Sequence, residues 1–267
     1  MHIYVCIKEI QNPEIASSVF RVDADKKQVI PVAGQHLVTS PFDEQAIEAA
    51  LRIRDMLGEA RITLVSFGPK LSERAIKRGL AMGADQGILV TVTGLEAADG
   101  YATARLLASA ISNANDFNLI ITGRQAADWD AGIVGCGIGE LLCIPVVTFA
   151  KAVRVEGDKV VVERMLDDGV ETVEASTPCV VTISNELGEP RKATLRGTMN
   201  AAKKPIANLS AADLGISAEA LGINEPRQVR ERLFVPVKDV QCEFFKGDNP
   251  LDIAGSLAAR LFETKTL

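Results

Sequence analysis

The chain has 267 residues and a formal net charge of −6, with 47% hydrophobic and 24% charged residues. This composition is typical of a globular protein, and the length allows one large α/β domain or one domain with an appendage. The acidic balance argues against a nucleic-acid-binding surface. Two histidines, and five cysteines with no C-x-x-C pair, argue against a zinc site.

The amino-terminal stretch MHIYVCIKEI predicts a β-strand rather than a signal peptide, because no basic region precedes an apolar one. No run approaches the ~18 apolar residues that a membrane-spanning helix needs. We therefore expect an intracellular protein.

Strand and helix patterns alternate over residues 1–150. Apolar runs predict strands near residues 3–7, 62–67, 87–92, 119–122 and 146–149. Amphipathic patterns predict helices after Ser40, over about 72–82, over about 101–112, and from about 132 to before Pro145. Two short strand patterns around a polar turn predict a hairpin within residues 19–32. Such alternation indicates a parallel sheet with helices on both faces.

Two of these helices carry further signals. Ser40, Pro41 and Asp43 have the spacing of a helix N-terminus with a capping box. In the fourth helix, the glycines of GCGIGE (residues 135–140) predict close packing against a neighbouring element. Cys136 and Cys143, seven residues apart, are predicted to share one face of this helix as small buried side chains.

After residue 150 the pattern changes. Residues 153–183 contain four strand patterns separated by Glu-Gly-Asp, Asp-Asp-Gly and proline turns, which we interpret as antiparallel. Residues 184–204 form a long polar stretch, and loops of this length are uncommon unless they are functional or disordered. Helical patterns follow at 210–215, near 217 and at 249–263. The last has a broad apolar stripe that docks either on its own domain or on another chain.

Three segments fall at the predicted carboxyl edge of the sheet, namely residues 39–42, 66–69 and 123–135. Each combines small residues with backbone N–H groups that can face one crevice, as in a nucleotide site. Within TGRQAADWDAGIVG (residues 122–135), Asp128 and Asp130 fit contacts to a ribose or an adenine amine. The alternatives for these two carboxylates are a helix cap, a metal site or a catalytic pair.

Established phosphate loops and nucleophilic triads are absent from the sequence. It has neither G-x-x-x-x-G-K-[ST] nor G-x-G-x-x-G after its first strand, and it has no Ser/His/Asp arrangement. We therefore predict no catalytic residue and no metal ligand, and a function in binding or electron transfer.

Residues 162–206 carry a longer signature, VERMLDDGVETVEASTPCVVTISNELGEPRKATLRGTMNAAKKPI. It contains Arg164, an acidic-glycine turn, Val-Glu, P-x-V-V-T from Pro178, a P-R-x-A-T-L loop from Pro190, Met199 and a lysine pair. This region resembles the signature of the electron transfer flavoprotein β subunit. The similarity also covers CIKE (6–9), SPFDEQAIEAA (40–50), AMGAD (81–85) and the glycine-rich stretch at 122–135.

The resemblance implies a Rossmann-like α/β fold of the adenine nucleotide alpha hydrolase type, with antiparallel additions and a C-terminal helical arm. It implies an α subunit that carries FAD, a flavin dehydrogenase such as acyl-CoA dehydrogenase as a partner, and AMP in the crevice. It divides the chain into a nucleotide-binding domain (residues 1–235) and an arm (236–267) that docks on the α subunit. It places the protein in the cytoplasm of a bacterium or archaeon, or in the mitochondrial matrix of a eukaryote.

The same resemblance implies roles for individual residues. The nucleotide contacts would be Cys6, Ser40, Pro41, Phe42, Asp43, Phe67, Gly123, Arg124, Gln125, Ala126, Asp128, Asp130, Ala131, Gly132, Ile133 and Val134. The docking loop for the dehydrogenase, residues 184–205, would bind through Glu189, Pro190, Arg191, Leu195 and Met199. Leu195 would be its apolar anchor, and Phe42 would lie toward the flavin of the α subunit.

An electron-bifurcating branch of the family holds a second FAD in place of AMP. ADGYATA (98–104) partly matches the ADTLATS of that branch, which makes Gly100 and Thr103 candidate pyrophosphate contacts. AMP and a second FAD both stay open, with a slight preference for FAD. The chain departs from the usual family residues at Pro13, Ser40, Trp129 and Ile133, so we expect a modified adenine pocket. The alternative function is a stand-alone adenine nucleotide sensor of the stress-protein type.

Overall fold

The computed structural model describes residues 1–68, 73–92, 98–217, 219–221, 226–236 and 242–266. Its strands, in chain order, are β1 His2–Cys6, β2 Glu9–Ile10, β3 Val22–Asp23, β4 Gln28–Val29, β5 Val38–Thr39, β6 Arg61–Phe67, β7 Gln86–Thr91, β8 Leu119–Gly123, β9 Val146–Glu156, β10 Lys159–Leu166, β11 Gly169–Ser176, β12 Cys179–Ile183 and β13 Ile206–Ser210. Its α-helices are α1 Pro41–Leu57, α2 Glu73–Met82, α3 Gly100–Ser112, α4 Val134–Leu142, α5 Leu195–Ala201 and α6 Pro250–Glu263. Short 3₁₀ helices cover Asn185–Leu187 and Glu219–Leu221.

One nine-stranded sheet organises the fold, in the order β11-β10-β9-β12-β8-β1-β6-β7-β13. From β9 to β13 in that order, neighbouring strands are parallel, whereas β10 and β11 add antiparallel strands beyond β9. Helices α1 and α2 cover one face, and α3 and α4 cover the other. The Rossmann-like fold predicted from the sequence is thereby confirmed.

Consecutive residues of a central strand point their side chains to opposite faces of the sheet. On β8, Ile121 packs into the core under α1 and α2, while Ile120 packs into the core under α3 and α4. Because side chains alternate along a strand, a strand covered on both faces is apolar throughout. This explains the continuous apolar runs in the first half of the sequence.

The chain reverses its direction across the sheet between β1 and β8. From β1 it proceeds to β6 and then β7 on one side, and it later crosses to β8 on the other side of β1. Loops leaving two such strands diverge to opposite faces, which opens a crevice at their carboxyl ends. Any ligand site of this fold is therefore expected next to Cys6 and Gly123.

The antiparallel interpretation of residues 153–183 is wrong for the last strand. β12 is parallel to both of its neighbours, β8 and β9, and it returns to the interior of the sheet. The strand predicted at 146–149 continues to Glu156 as β9. Its pairing with β12 shifts register near Phe149, whose φ is 58°. The predicted hairpin is confirmed as β3 and β4.

The C-terminal third differs from the prediction at two points. Residues 206–210, not expected to be extended, form the edge strand β13 against β7. The helix predicted at 210–215 is wrong: Ser210 ends β13, and turns occupy residues 211–215. Of the helix predicted near 217, residues 218 and 222–225 lie outside the described residues, and Glu219–Leu221 form a short 3₁₀ helix. Helix α6 is confirmed. Within the described ranges, no helix has the length and apolar character needed to cross a membrane.

The glycines of α4 form its packed face, as predicted. A β-carbon on Gly135 would lie 2.7 Å from Thr122 Oγ1, and one on Gly139 would overlap the side chain of Val146. The prediction that Cys136 and Cys143 are buried is wrong, since both are exposed. Because the glycines face the sheet, Cys136 is directed away from it, and Cys143 lies beyond the last helical residue, at φ 54°.

Candidate functional site

The amino end of α1 lies against the carboxyl ends of β1 and β8. Asp43, in the first turn of α1, accepts hydrogen bonds from the backbone N–H of Lys8 (2.7 Å, to Oδ2) and of Gly123 (3.3 Å, to Oδ1). Lys8 follows β1 closely and Gly123 ends β8. One buried carboxylate therefore holds together the two strands between which the sheet reverses.

Burial controls the protonation of this carboxylate. Asp43 is 6% exposed, and its desolvation raises the pKa of the carboxyl group to about 7. The amides of Lys8 and Gly123 and the charge of Lys8 act in the opposite direction, while the neighbouring charge of Asp128 raises the pKa further. We name Asp43 and these two amides the carboxylate clamp.

The predicted capping box of α1 does not form. Ser40 occupies the N-cap position, but its side chain makes no capping hydrogen bond. Its Oγ instead accepts from the N–H of Ala127 at 3.4 Å, on the glycine-rich turn after β8. The carboxylate of Asp43 already accepts from the N–H groups of Lys8 and Gly123. It is therefore not free to accept from the N–H of Ser40, as a capping box requires.

The turn after β8, residues 123–134, is fixed by its own hydrogen bonds. The N–H of Arg124 donates to the Ile183 carbonyl (2.8 Å), and the N–H of Asp130 donates to the Ala126 carbonyl (3.0 Å). Asp130 and Gly132 both have positive φ, 50° and 64°, which glycine and aspartate tolerate better than most residues. The turn is thus a preformed rim of the crevice.

The two carboxylates of the turn have partners of their own. Lys8 Nζ lies 2.7 Å from Asp128 Oδ2, and Gln125 Nε2 donates to Asp130 Oδ1 at 2.8 Å. Among the residues that the structure describes, no group of three His, Cys, Asp or Glu side chains could hold a metal ion. The arrangement therefore suits hydrogen bonding to a polar ligand better than ion coordination.

Several buried polar atoms near the carboxyl edge have no hydrogen-bond partner among the residues that the structure describes. They are Thr39 Oγ1, just before α1; Ser66 Oγ, near the end of β6; and Arg124 Nε, on the turn. A buried polar atom without a partner is unfavourable unless a ligand or water satisfies it. These atoms fit a polar ligand such as a nucleotide.

Aromatic and thiol groups complete this edge. The Arg124 guanidinium carbon lies 5.1 Å from the ring centroid of Phe42, within cation–π range. Phe67, at the end of β6, is half-buried against the α3/α4 core. Cys6 is buried, and desolvation, with a contribution from Asp43, raises its thiol pKa far above the ordinary range, so the thiol stays neutral.

The third segment predicted to line the crevice, residues 66–69, is described as far as Gly68. The N–H of Gly68 donates to the Val90 carbonyl at 3.1 Å, so β7 already uses this amide. The buried Ser66 hydroxyl has no partner among the described residues and is the polar group that this segment offers. Pro69 lies outside the described residues.

The start of α3 places Gly100 and Thr103 near that turn. A β-carbon on Gly100 would overlap the Ile133 side chain, so α3 and the turn meet there. Asp99 caps the helix by accepting from the Ala102 N–H at 2.8 Å, and the Thr103 hydroxyl donates to the Asp99 carbonyl at 2.9 Å. In this conformation, a pyrophosphate would compete with Asp99 for the end of the helix.

The predicted docking loop, residues 184–205, lies on α1 and α2. Arg191 donates to Glu48 Oε2 through its N–H (3.0 Å) and its Nε (2.8 Å), and Arg52 donates to the Leu187 carbonyl at 2.9 Å. Burial alone would raise the pKa of Glu48, but hydrogen bonds from Arg191 and Arg52 outweigh it and lower that pKa. The structure thus assigns Arg191 an anchoring contact within the chain.

The second half of this loop is helical. α5 begins at Leu195, is capped by Thr194, and packs on α2 so closely that a β-carbon on Gly197 would overlap the Ala81 carbonyl. Leu195 is 80% exposed and Met199 is 67% exposed, as expected for apolar contacts with a partner. Glu189 is exposed and Pro190 half-buried.

Some residues of this region were missed by the sequence reasoning. Lys8 pairs with Asp128, Gln45 donates to the carbonyls of Asn185 and Gly188, and Glu48 receives Arg191. Lys8 and Gln45 lie inside segments that carry the family resemblance, but their partners are more than 100 residues away. Only the fold could identify those partners.

The sequence matches a known protein family over most of its length. The sequence model of the family described as "Electron transfer flavoprotein domain" matches residues 29–214. The chain is 39% identical over 224 residues to an "Electron transfer flavoprotein subunit beta" of Thermoanaerobacterium thermosaccharolyticum, covering 84% of each protein.

The chain belongs to the electron transfer flavoprotein β-subunit family. It is also 34% identical over 264 residues to the "Caffeyl-CoA reductase-Etf complex subunit CarD" of Acetobacterium woodii, covering 98% of each protein. A mouse "Electron transfer flavoprotein subunit beta" is 39% identical over 214 residues, or 78% of this chain and 83% of the relative. Membership of this family makes the chain an electron transfer flavoprotein subunit.

Proposed function

We propose that this chain pairs with an FAD-carrying α subunit, binds an adenine nucleotide in the crevice between β1 and β8, and docks a flavin dehydrogenase. When bound, FAD supplies the electron-transfer chemistry. This chain supplies binding, orientation and docking, and electrons pass from a dehydrogenase such as acyl-CoA dehydrogenase to a downstream acceptor. The single observation that carries the proposal is the preformed crevice at the reversal of the sheet.

Within that crevice, the residues present fit an adenine nucleotide. Asp128 and Asp130 are placed to accept hydrogen bonds from a ribose or an adenine amine once their present partners shift. Gly123 lets the amino end of α1 approach the end of β8, and the Thr39 and Ser66 hydroxyls, which have no partner among the described residues, would add polar contacts to the ligand. A mononucleotide needs only this part of the site, whereas FAD would also need the end of α3 near Gly100 and Thr103.

The relative in a caffeyl-CoA reductase–Etf complex supports an acyl-CoA oxidoreductase as the partner, because it aligns over nearly the whole chain. The docking contact would be made by α5. Its exposed Leu195 and Met199 lie one turn apart on a helix that α2 holds in place. Family membership leaves little support for a stand-alone nucleotide sensor.

The arm beginning near residue 236 is proposed to dock on the α subunit. None of the residues of α6 is buried, and Leu251, Leu257 and Phe262 are 84%, 44% and 68% exposed. Local ion pairs hold the arm together, such as Arg260 with Glu243 at 3.0 Å. An amphipathic helix with so much exposed apolar surface is typical of a segment that binds another chain.

The experiment that tests the proposal counts the ligands of the co-purified heterodimer after denaturation. One FAD and one AMP per heterodimer would establish an AMP crevice. Two FAD and no AMP would establish a second redox centre and make electron bifurcation the next question. A preparation with no flavin and no α subunit would contradict the proposal.

Leu195→Ala is expected to slow electron transfer from the dehydrogenase without changing the nucleotide content. Removing an apolar anchor from a docking interface costs on the order of 2 kcal/mol, which is roughly a thirtyfold loss of affinity. The measurement is flavin reduction by the dehydrogenase at limiting concentration. Val170→Ala, on the edge strand β11 and 48% exposed, is the matched control and should behave as the wild type. If flavin is reduced at the wild-type rate in both variants, Leu195 is not part of the docking interface.

A further inference from the structure

Residues 226–232, here called the strap, lie across the mouth of the crevice. Asp99 Oδ2 accepts from the N–H of Arg227 (2.8 Å) and of Gln228 (3.2 Å). The other oxygen of the same carboxylate caps α3. A single side chain therefore fixes both the start of α3 and the backbone of the strap.

Two arginines of the strap hold aromatic rings on either side. The guanidinium carbon of Arg227 lies 3.6 Å from the ring centroid of Tyr101, on α3. That of Arg230 lies 4.0 Å from the ring centroid of Trp129, on the turn after β8, and its Nη1 donates to the Lys27 carbonyl. Cation–π contacts at these distances are favourable, and more so where water is excluded.

The segments that the strap connects all follow carboxyl ends of the parallel sheet. Lys27 belongs to the hairpin inserted after β1, Tyr101 follows β7, and Trp129 follows β8. These strands and their loops surround the point where the sheet reverses. A segment that contacts all three loops spans the opening through which a ligand would reach the clamp at Asp43.

The charge of the strap suits an anionic ligand. Asp99 and Asp130 bring negative charge to the mouth of the crevice, where Lys8 offsets only Asp128, and negative charge repels a nucleotide phosphate. Arg227 and Arg230 bring two positive charges to the same mouth. The strap thus supplies the cationic groups that the glycine-rich turn, apart from Arg124, lacks.

We propose that the strap closes the crevice over the adenine nucleotide and slows its release, with Arg227 and Arg230 as the two contacts that hold it shut. The inference rests on the proposed function, because it requires a nucleotide in the crevice. The strap opens when the guanidinium groups leave the rings of Tyr101 and Trp129, and it closes when they return.

Trp129 is the single tryptophan of the 267 residues, so its fluorescence reports on this site. The experiment measures AMP release after rapid dilution, FAD release in parallel, and iodide quenching of Trp129 fluorescence. The variants are Arg227→Ala and Arg230→Ala, with Arg230→Lys retaining the charge but not the planar stacking. Arg232→Ala is the matched control, because the aromatic ring that Arg232 meets is that of its near neighbour Phe234, at 4.7 Å, rather than one on the crevice.

Closure by the strap predicts that nucleotide release is about tenfold faster in Arg227→Ala and Arg230→Ala and unchanged in Arg232→Ala. It also predicts that iodide quenches Trp129 fluorescence more strongly in Arg230→Ala. Wild-type release rates in every variant would overturn it and leave nucleotide binding intact. Failure of the wild-type chain to bind either AMP or FAD would overturn the nucleotide site itself, and the closing role with it.

Discussion

Gly123→Ala is expected to destabilise the fold and to lower the nucleotide content of the purified heterodimer. A β-carbon at this position would lie 2.6 Å from Asp43 Oδ1 and 2.8 Å from Phe42 Cβ, closer than real atoms approach. Neither neighbour can easily move, because Asp43 is buried in the clamp and the β-carbon of Phe42 is fixed by the backbone of α1. We expect a loss of about 1–3 kcal/mol in the free energy of unfolding.

The same displacement would part β8 from the amino end of α1, and the crevice lies at this junction. The nucleotide affinity should therefore fall by roughly tenfold, equivalent to about 1.4 kcal/mol of binding free energy, and the nucleotide content of the purified heterodimer should fall with it. Gly169→Ala is the matched control, because the added methyl group would meet no atom within 4 Å and the φ of Gly169 is not positive. Wild-type stability and full nucleotide content in Gly123→Ala would show that the crevice does not depend on this approach.

The parallel half of the sheet could be predicted because local patterns suffice for it. The apolar run at residues 119–122 is buried, and a helix with an amphipathic pattern, α4, follows it. The direction of β12 could not be obtained in the same way. Three turns in succession suggest a meander, but whether the last strand continues it depends on which neighbour it meets. All five residues of β12 are buried, and that uninterrupted apolar run was the signal for a central parallel strand.

The docking loop shows why propensity alone is insufficient. Thr194 caps the amino end of α5 in the structure, but Gly197 and Asn200 are poor helix formers. The helix forms because Gly197 fits against the Ala81 carbonyl of α2, where a larger residue would not. That contact joins residues more than 100 positions apart, so the sequence predicted an irregular loop.

The sequence predicts the site residues as a set, but it does not predict the contacts that they make within the chain. Asp43 was assigned to nucleotide contact through a family motif, whereas its carboxylate is engaged with Lys8 and Gly123, 35 and 80 residues away in the chain. Asp99 likewise meets Arg227 across 128 residues. Long-range pairs of this kind follow from strand order, and strand order was the part of the fold that the sequence left least determined.

Asp43→Asn is expected to change the pH dependence of stability. In the wild type, burial raises the pKa of this carboxyl group to about 7, from 3.8 in an unfolded chain. Between these values the folded state binds the proton and the unfolded state does not. Asp43 therefore makes its full contribution to the free energy of unfolding below pH 4. This contribution falls as the pH rises to 7, by on the order of 4 kcal/mol at most.

The asparagine variant cannot titrate at this position, so its free energy of unfolding should lack that fall between pH 4 and pH 7. It should be the less stable protein at pH 4.5, because its amide can accept from only one of the two clamp amides. The N–H of the other clamp residue then faces the side-chain NH₂ group, which is itself a donor. The loss of its acceptor lowers the free energy of unfolding by about 1–3 kcal/mol. The difference between the two proteins should shrink as Asp43 ionises in the wild type.

Urea unfolding at intervals from pH 4.5 to pH 8 measures both effects, since other titrating groups contribute equally to both proteins. Glu44→Gln is the matched control: Glu44 is the next residue of α1 and pairs with Arg78 at the surface, 3.0 Å away. It should retain the wild-type pH profile. Parallel profiles for wild type and Asp43→Asn would mean that the amides of Lys8 and Gly123 outweigh burial and keep Asp43 ionised. The carboxylate clamp would then carry a full negative charge beside the crevice. The two arginines of the strap would carry charge of the opposite sign.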